Sequence, residues 1–382
     1  MWISWCMFFK KRPVIIITSN DSGRTHRWKE FVLKTLNRLT VIRLRLIFIT
    51  VVAGQWLFSQ TVDAPYEVAT WWGFRKAAIS YTFDDGCPNQ LAIAVPLFDE
   101  FGFPLTLFAV TDWSPDWNAL RRAAARGHEI ASHTVSHPHL DELNEEAQIA
   151  ELKNSRDEIN AQVTNQKCLT IAYPYCVAGD DSICAEYYLA ARACQGYIES
   201  NNPDNFLNIS SIICGSVGFV KTAADFQDSA DQAASVNGWC VYLIHGLDTE
   251  NDGWSPTSSD ALRRSLEYLD AHRNTFWVAT FVDVVRYIRE RNAVSVIETA
   301  CRENRIAVRV TDTLKNEIYN HPITIRRPLP DGWLSASVRQ GERLINSQVV
   351  VVDMVRYIMF DAVPDDKKVI ITSSTATGFK NH

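Results

Sequence analysis

From Pro65 to Ala293, short apolar runs alternate with stretches of helical character, and this rhythm restricts the chain more than any other feature. The strand-like runs are Ala77–Phe83, Leu105–Val110, Leu169–Tyr173, Trp239–Ile244 and Trp277–Phe281. Helical stretches fall at Gln90–Phe101, Trp117–Arg126, Glu142–Val163, Ser182–Cys194 and Ser259–Arg273. Strand, helix, strand at this spacing predicts an α/β fold with parallel strands, because each helix carries the chain back to the end where the next strand starts. In a barrel version, functional residues belong at the C-terminal strand ends, where Asp84, Asp85, Tyr175 and His245 fall. The chain of 382 residues, 47 % hydrophobic and 21 % charged, is long enough for one large core and a small second one. A net charge of −6 with both signs interspersed argues against nucleic acid as the main partner.

The run Ala77–Phe83 delivers Asp84-Asp85-Gly86 into a turn. Adjacent carboxylates repel when both are ionised, so a buried pair survives where a cation or metal neutralises one of them. Within His128–His139, His133 and His137 stand four residues apart. On one helical turn, or on a loop bent like one, that spacing aims two imidazoles at the same spot. Two His and one carboxylate leave open positions on a hydrolytic divalent metal. Either element alone is commonplace, Asp-Asp-Gly being a frequent solvated turn. Their conjunction carries the inference.

Thr82-Phe83-Asp84-Asp85-Gly86, followed by Gly127-His128-Glu129-Ile130 and Ser132-His133-Thr134-Val135-Ser136-His137-Pro138, resembles the first two motifs of the polysaccharide deacetylases, metal-dependent carbohydrate esterases with NodB homology. Ala172-Tyr173-Pro174-Tyr175 resembles the third motif and Val241-Tyr242-Leu243-Ile244-His245-Gly246 the last, in the family's order, over about Trp72 to Ala293. The resemblance implies a distorted (β/α) barrel of about seven strands. It implies a divalent metal ion, zinc foremost with cobalt or nickel as alternatives, on Asp85, His133 and His137. It further implies Asp84 as the base toward the attacking water, His245 as the acid toward the leaving group, and the Tyr175 backbone N–H as an oxyanion donor. The implied partner is an acetylated polysaccharide or oligosaccharide. The chain departs from the family at three points. Ala172 holds the place of an Arg that orients the base, Cys176 stands at a common Gly, and the fourth motif has only Asp204, Asp248 and Trp254 as candidates. Two other readings stay open. One is a related amidohydrolase acting on a small C–N substrate; the other is a non-catalytic carbohydrate-binding protein, for which twelve Trp offer platforms.

The chain ends read differently. Lys34, Arg38, Arg43 and Arg45 precede the apolar run Leu46–Ala53, the pattern of a secretory signal and too short for a membrane span. Its late position predicts a translation start placed too early; the alternative is an amphipathic or buried helix. The expected organisation is an extension over 1–60, a catalytic domain over 61–300 and a small β-sandwich-like domain over 301–382, where short β-rich runs alternate with Pro, Asn and Asp turns. Export predicts a secreted, periplasmic or cell-envelope protein with no stable membrane insertion after signal removal. Apart from Cys6 there are eight Cys, and Cys168, Cys176, Cys184 and Cys194 are spaced for local disulfides of open connectivity. Cys87 and Cys176 adjoin motif residues as a thiolate ligand or a site-proximal bridge, readings ranked below plain buried thiols.

Overall fold

The computed structural model describes residues 60–373, so the secretory pattern expected before Gln60 lies outside the described residues. The α/β part is built on a parallel sheet. Across it run Ala190–Arg192, Thr170–Ala172, Glu129–Ser132, Thr106–Ala109, Ala77–Phe83, Trp239–Ile244 and Ile212–Ile213, and Phe276–Val278 also pairs with Ala77–Phe83. All of these pairings are parallel. A further parallel bridge joins Arg192 to Ile209, just ahead of Ile212–Ile213, and so brings the two ends of the sheet together. The result is the expected distorted barrel: seven strands in succession, with an eighth sharing one side of the central strand with its neighbour.

Ala77–Phe83 is buried along its whole length, as a strand enclosed on both faces must be. Its alternate residues serve two cores. Tyr81 and Phe83 pack outward under the helices, while Ala78 joins an inner cluster with Phe108, Ala131, Ala172, Ala190 and Trp239. Small residues on several strands leave room at the barrel's centre for Trp239 and Phe108. At the opposite end from the site, the buried Glu129 carboxylate accepts bonds from Thr106 Oγ1 and Thr170 Oγ1. It also accepts the Val282 N–H at the start of the helix Phe281–Ala293.

One expected helix is in part a strand. The helix predicted over Ser182–Cys194 ends at Tyr187, and Ala190–Arg192 is a strand buried on both sides. Its Ala-rich sequence favours helix locally, but the sheet position overrides that preference. Two strands escaped the apolar-run reading altogether, Glu129–Ser132 inside the His motif and Ile212–Ile213.

Beyond Val294 the chain is β-rich, in a six-stranded and a four-stranded sheet. The expected boundary at 300 falls inside the strand Ser295–Arg302, and Thr61–Val62 and Glu67–Val68 pair with strands of this region. Val296, Val308 and Ile371 from one sheet and Ile325, Ile358 and Phe360 from the other share a core with Val284, Val285 and Ile288 of the helix Phe281–Ala293. Among the described residues no helix is long and apolar enough to cross a membrane.

Candidate active site

Asp84 continues the central strand by one residue, donating its N–H to Ile244 O at 2.9 Å. Asp85 (φ +74°) and Gly86 (φ +73°) then turn the chain through left-handed backbone. Asp84 is 2 % exposed, and one of its carboxylate oxygens is hydrogen-bonded and ion-paired to the Arg192 guanidinium. Arg192 is fully buried at the end of Ala190–Arg192. It donates to Ser211 Oγ at 3.2 Å and lies 5.5 Å from the Phe108 ring centroid. The sequence had assigned this residue to a helix, so its role was missed; the Arg absent at Ala172 is supplied by the adjacent strand, which pairs Ala172 with Arg192.

His133 and His137 sit on a loop, not on a helix. Thr134 (φ +68°) and His137 (φ +62°) bend it. Internal bonds fix the bend: Thr134 N–H donates to Ser132 Oγ and His137 N–H to Thr134 Oγ1. Glu151, from the helix Glu145–Gln162, accepts the N–H groups of Val135 and Ser136 at 2.8 and 2.9 Å and the Ser136 hydroxyl at 2.7 Å. His133 Nδ1 is 2.8 Å from Ala172 O. A carbonyl can only accept, so Nδ1 carries the proton and Nε2 presents its lone pair to the site.

That lone pair meets Asp85. His133 Nε2 and His137 Nε2 each lie 3.5 Å from Asp85 Oδ1. These separations exceed a well-formed hydrogen bond of about 2.7–3.2 Å. They are close to the edge, ~3.3 Å, of a tetrahedron with metal bonds of about 2.0–2.1 Å. The three ligand atoms all lie within 4.8 Å of one another. Asp85 Oδ1 and Asp84 Oδ1 are buried without a hydrogen-bond partner among the described residues, which is what a cation-binding pair leaves open. Burial pushes the Asp85 carboxyl up, but His133, His245 and His137 outweigh it and hold it below its ordinary value. Burial pulls His137 down, with His133 adding to the effect, and so favours the neutral ligand form. The donor set fits a divalent metal.

His245 follows Trp239–Ile244, the strand beside the one that carries Asp84. Its Nε2 lies 3.9 Å from Asp85 Oδ2 and its ring 4.9 Å from that of Trp254, edge to face. Burial lowers its pKa against the pull of Asp84 and Asp85. Its Nδ1 is buried without a partner among the described residues, so neither Asp204 nor Asp248 supports it. Asp248 instead accepts the Ser259 N–H at 2.7 Å. A residue not singled out in the sequence, Asp252, braces the site by accepting Leu247 N–H at 2.8 Å and Asn89 N–H at 2.9 Å, tying the loop after His245 to the loop after Asp85.

Tyr175 (φ +55°) stands on the far side. Its ring is 4.6 Å from His137 and stacks on His139 at 4.0 Å. Cys176 forms a disulfide with Cys194, so the site-proximal bridge that had ranked below a plain buried thiol is the form present. Cys87 is a buried thiol pushed up to about 12 by burial and by Asp85, and it is outside the ligand cluster. A cleft of about 730 Å³ opens beside Asp85, lined by Leu91, Val110, Trp113, Asp116 and Gly253. Trp113, Tyr175 and Trp254 expose about half of their surface around the cluster, at 52 %, 56 % and 52 %.

The family model described as polysaccharide deacetylase matches residues 73–191, which takes in both Asp, both His and Tyr175 and stops one residue before Arg192. A gellan lyase of a Bacillus species is 30 % identical over 331 residues, 81 % of this chain and 13 % of that protein. A chitooligosaccharide deacetylase of Rhizobium leguminosarum bv. trifolii is 35 % identical over 102 residues, 25 % of this chain and 45 % of that protein. The chain thus spans less than half the length of each of these curated relatives. Among solved structures, a putative polysaccharide deacetylase from Mycobacterium smegmatis aligns with 64 % of this chain and 99 % of its own at 17 % identity and a TM-score of 0.47.

Proposed function

We propose that this chain, whose residues 73–191 match the polysaccharide deacetylase family model, is a metal-dependent hydrolase that removes N- or O-linked acetyl groups from a polysaccharide or oligosaccharide. The observation that carries this is the convergence of Asp85, His133 and His137 on one point beside Asp84, a carboxylate held by a buried Arg. A divalent ion bound there, zinc foremost with cobalt or nickel as alternatives, would polarise the acetyl carbonyl and lower the pKa of the attacking water. Arg192 fixes Asp84 through one oxygen and leaves Oδ1 free to take the water's proton. His245, facing the cluster from the neighbouring strand, hands a proton to the departing nitrogen or oxygen. The Tyr175 N–H serves the developing oxyanion.

The substrate class rests on the surroundings. Three half-exposed aromatic rings about the cluster offer flat faces for sugar rings. Similarity to a chitooligosaccharide deacetylase supports an acetylated glycan. Similarity to a gellan lyase supports a carbohydrate, but it spans 13 % of that protein and carries no lyase chemistry to this site. The Cys176–Cys194 disulfide supports an exported protein, secreted, periplasmic or in the cell envelope, because disulfides persist in oxidising compartments.

The test is acetate release by the protein, metal-stripped and then reloaded with zinc, cobalt or nickel, on acetylated xylan, chitin oligomers and peptidoglycan fragments, beside a panel of cyclic and linear amides. The expected outcome is metal-dependent release from at least one glycan. Turnover of the amides alone would move the assignment to a small-substrate amidohydrolase, and tight glycan binding without release to a carbohydrate-binding protein.

A further inference from the structure

We infer that the Cys176–Cys194 disulfide is a positioning device for this active site, one that holds Tyr175 and its contacts in a backbone conformation their sequence disfavours. The inference rests on the deacetylase function proposed above. Tyr175 and Cys176 are consecutive non-glycine residues with φ +55° and +63°. Left-handed backbone is sterically unfavourable for each, and two in succession need a restraint, which strand pairing supplies at the hairpin turn Asp353-Met354 but not here. The surroundings here are thin. Tyr175 is 56 % exposed, and the turn's bonds from Cys176 N–H to Tyr173 O and from Val177 N–H to Pro174 O are local. The covalent restraint comes from Cys194, 18 residues further on.

Each end of the bridge adjoins a working part. Cys176 follows Tyr175, whose ring packs against His137 and His139. Cys194 lies two residues past Arg192, the partner of Asp84. The bridge therefore ties the oxyanion loop and one metal ligand to the strand end that orients the base. Both half-cystines are partly exposed, whereas Cys87, Cys168, Cys184, Cys214 and Cys240 are buried thiols. A soluble dithiol such as dithiothreitol can reach the bridge. Its two electrons and two protons convert the S–S bond into two S–H groups, and the reagent closes to its own cyclic disulfide.

Glycine separates a need for the bond from a need for the conformation. Cys176→Gly removes the bridge but adopts positive φ freely. Cys176→Ser and Cys194→Ser remove the bridge and leave a side chain at the left-handed position.

The experiment compares the parent and these three variants, oxidised and after dithiothreitol, by kcat and KM for acetate release, metal content, and backbone amide exchange over residues 174–178. Reduction of the parent is expected to lower kcat about tenfold or more, to speed exchange over 174–178 and to leave metal content unchanged. Cys176→Ser and Cys194→Ser should match the reduced parent without reductant. Cys176→Gly should keep turnover within a few-fold of the oxidised parent and be indifferent to reductant. Unchanged exchange and turnover in the reduced parent would overturn the inference, as would a Cys176→Gly variant that falls as far as Cys176→Ser. If the oxidised parent releases no acetate from any glycan, the proposed function fails, and the exchange comparison still judges the bridge.

Discussion

In the Asp84–Arg192 ion pair both side chains are almost wholly removed from water. A buried pair is not stabilising merely by existing; removing one partner, however, strands the other, at about 3–5 kcal/mol. Arg192→Met is therefore expected to destabilise the protein by about that amount. Most of this should return when Asp84→Asn is added, since the amide needs no counter-charge. Activity should not return with it, because the proposed base is gone. Urea unfolding of the parent, both single variants and the double variant checks this, and a double variant no more stable than Arg192→Met alone would show that the cost lies in packing against Phe108 instead. Order and spacing along the chain singled out six residues, Asp84, Asp85, His133, His137, Tyr175 and His245, that the structure brings together in one place. Arg192 was not among them. Its neighbours Ala190, Ala191 and Ala193 read as helix, and only the closing of the sheet turns the segment into a strand that faces Asp84.

Among the elements, the barrel strands that were continuous apolar runs were legible, as enclosed parallel strands should be. Glu129–Ser132 was hidden because its first residue is a charged group whose partners, Thr106, Thr170 and Val282, come from three other segments. The helix Glu145–Gln162 lies within the stretch predicted over Glu142–Val163, and its charged residues are exposed or half-buried along its length. Nothing in that pattern distinguishes Glu151 from Glu145, Glu146 or Glu158, yet Glu151 alone among them accepts the two loop N–H groups between His133 and His137. Glu151→Ala should loosen the loop and weaken metal affinity about 10–100-fold, the usual cost of losing an outer support. Glu151→Gln, which keeps one accepting oxygen, should lose less. Competition with a chelator of known affinity measures both, and equal affinity in Glu151→Ala and the parent would mean that the loop's internal bonds from Ser132 and Thr134 suffice.

At the scale of the whole molecule, the helix Phe281–Ala293 joins the barrel to the β-rich region, and a buried carboxyl sits near each of its ends. Glu129 accepts the Val282 N–H at its start, and burial pushes that carboxyl up to about 7 against the hydrogen bonds from Thr170, Val282 and Thr106. Glu290, near its end, accepts the His321 N–H at 2.9 and 3.2 Å from its two oxygens, and burial pushes it up to about 8 with Asp312 and Asp283 adding to the effect. A carboxyl whose pKa is higher folded than unfolded holds its proton more tightly in the native state. The stability this contributes is complete below the unfolded value near 4.5 and is lost as pH rises through the folded value. The protein should therefore lose stability between about pH 5 and pH 9, on the order of a few kcal/mol for the two groups together. Glu290→Gln imitates the protonated side chain at every pH. It should flatten the upper part of that decline and be more stable than the parent at pH 9 while differing little at pH 5. Urea midpoints of the two proteins across that range measure the difference, and parallel curves would mean that Glu290 is ionised in the folded protein, with its charge balanced by Arg286.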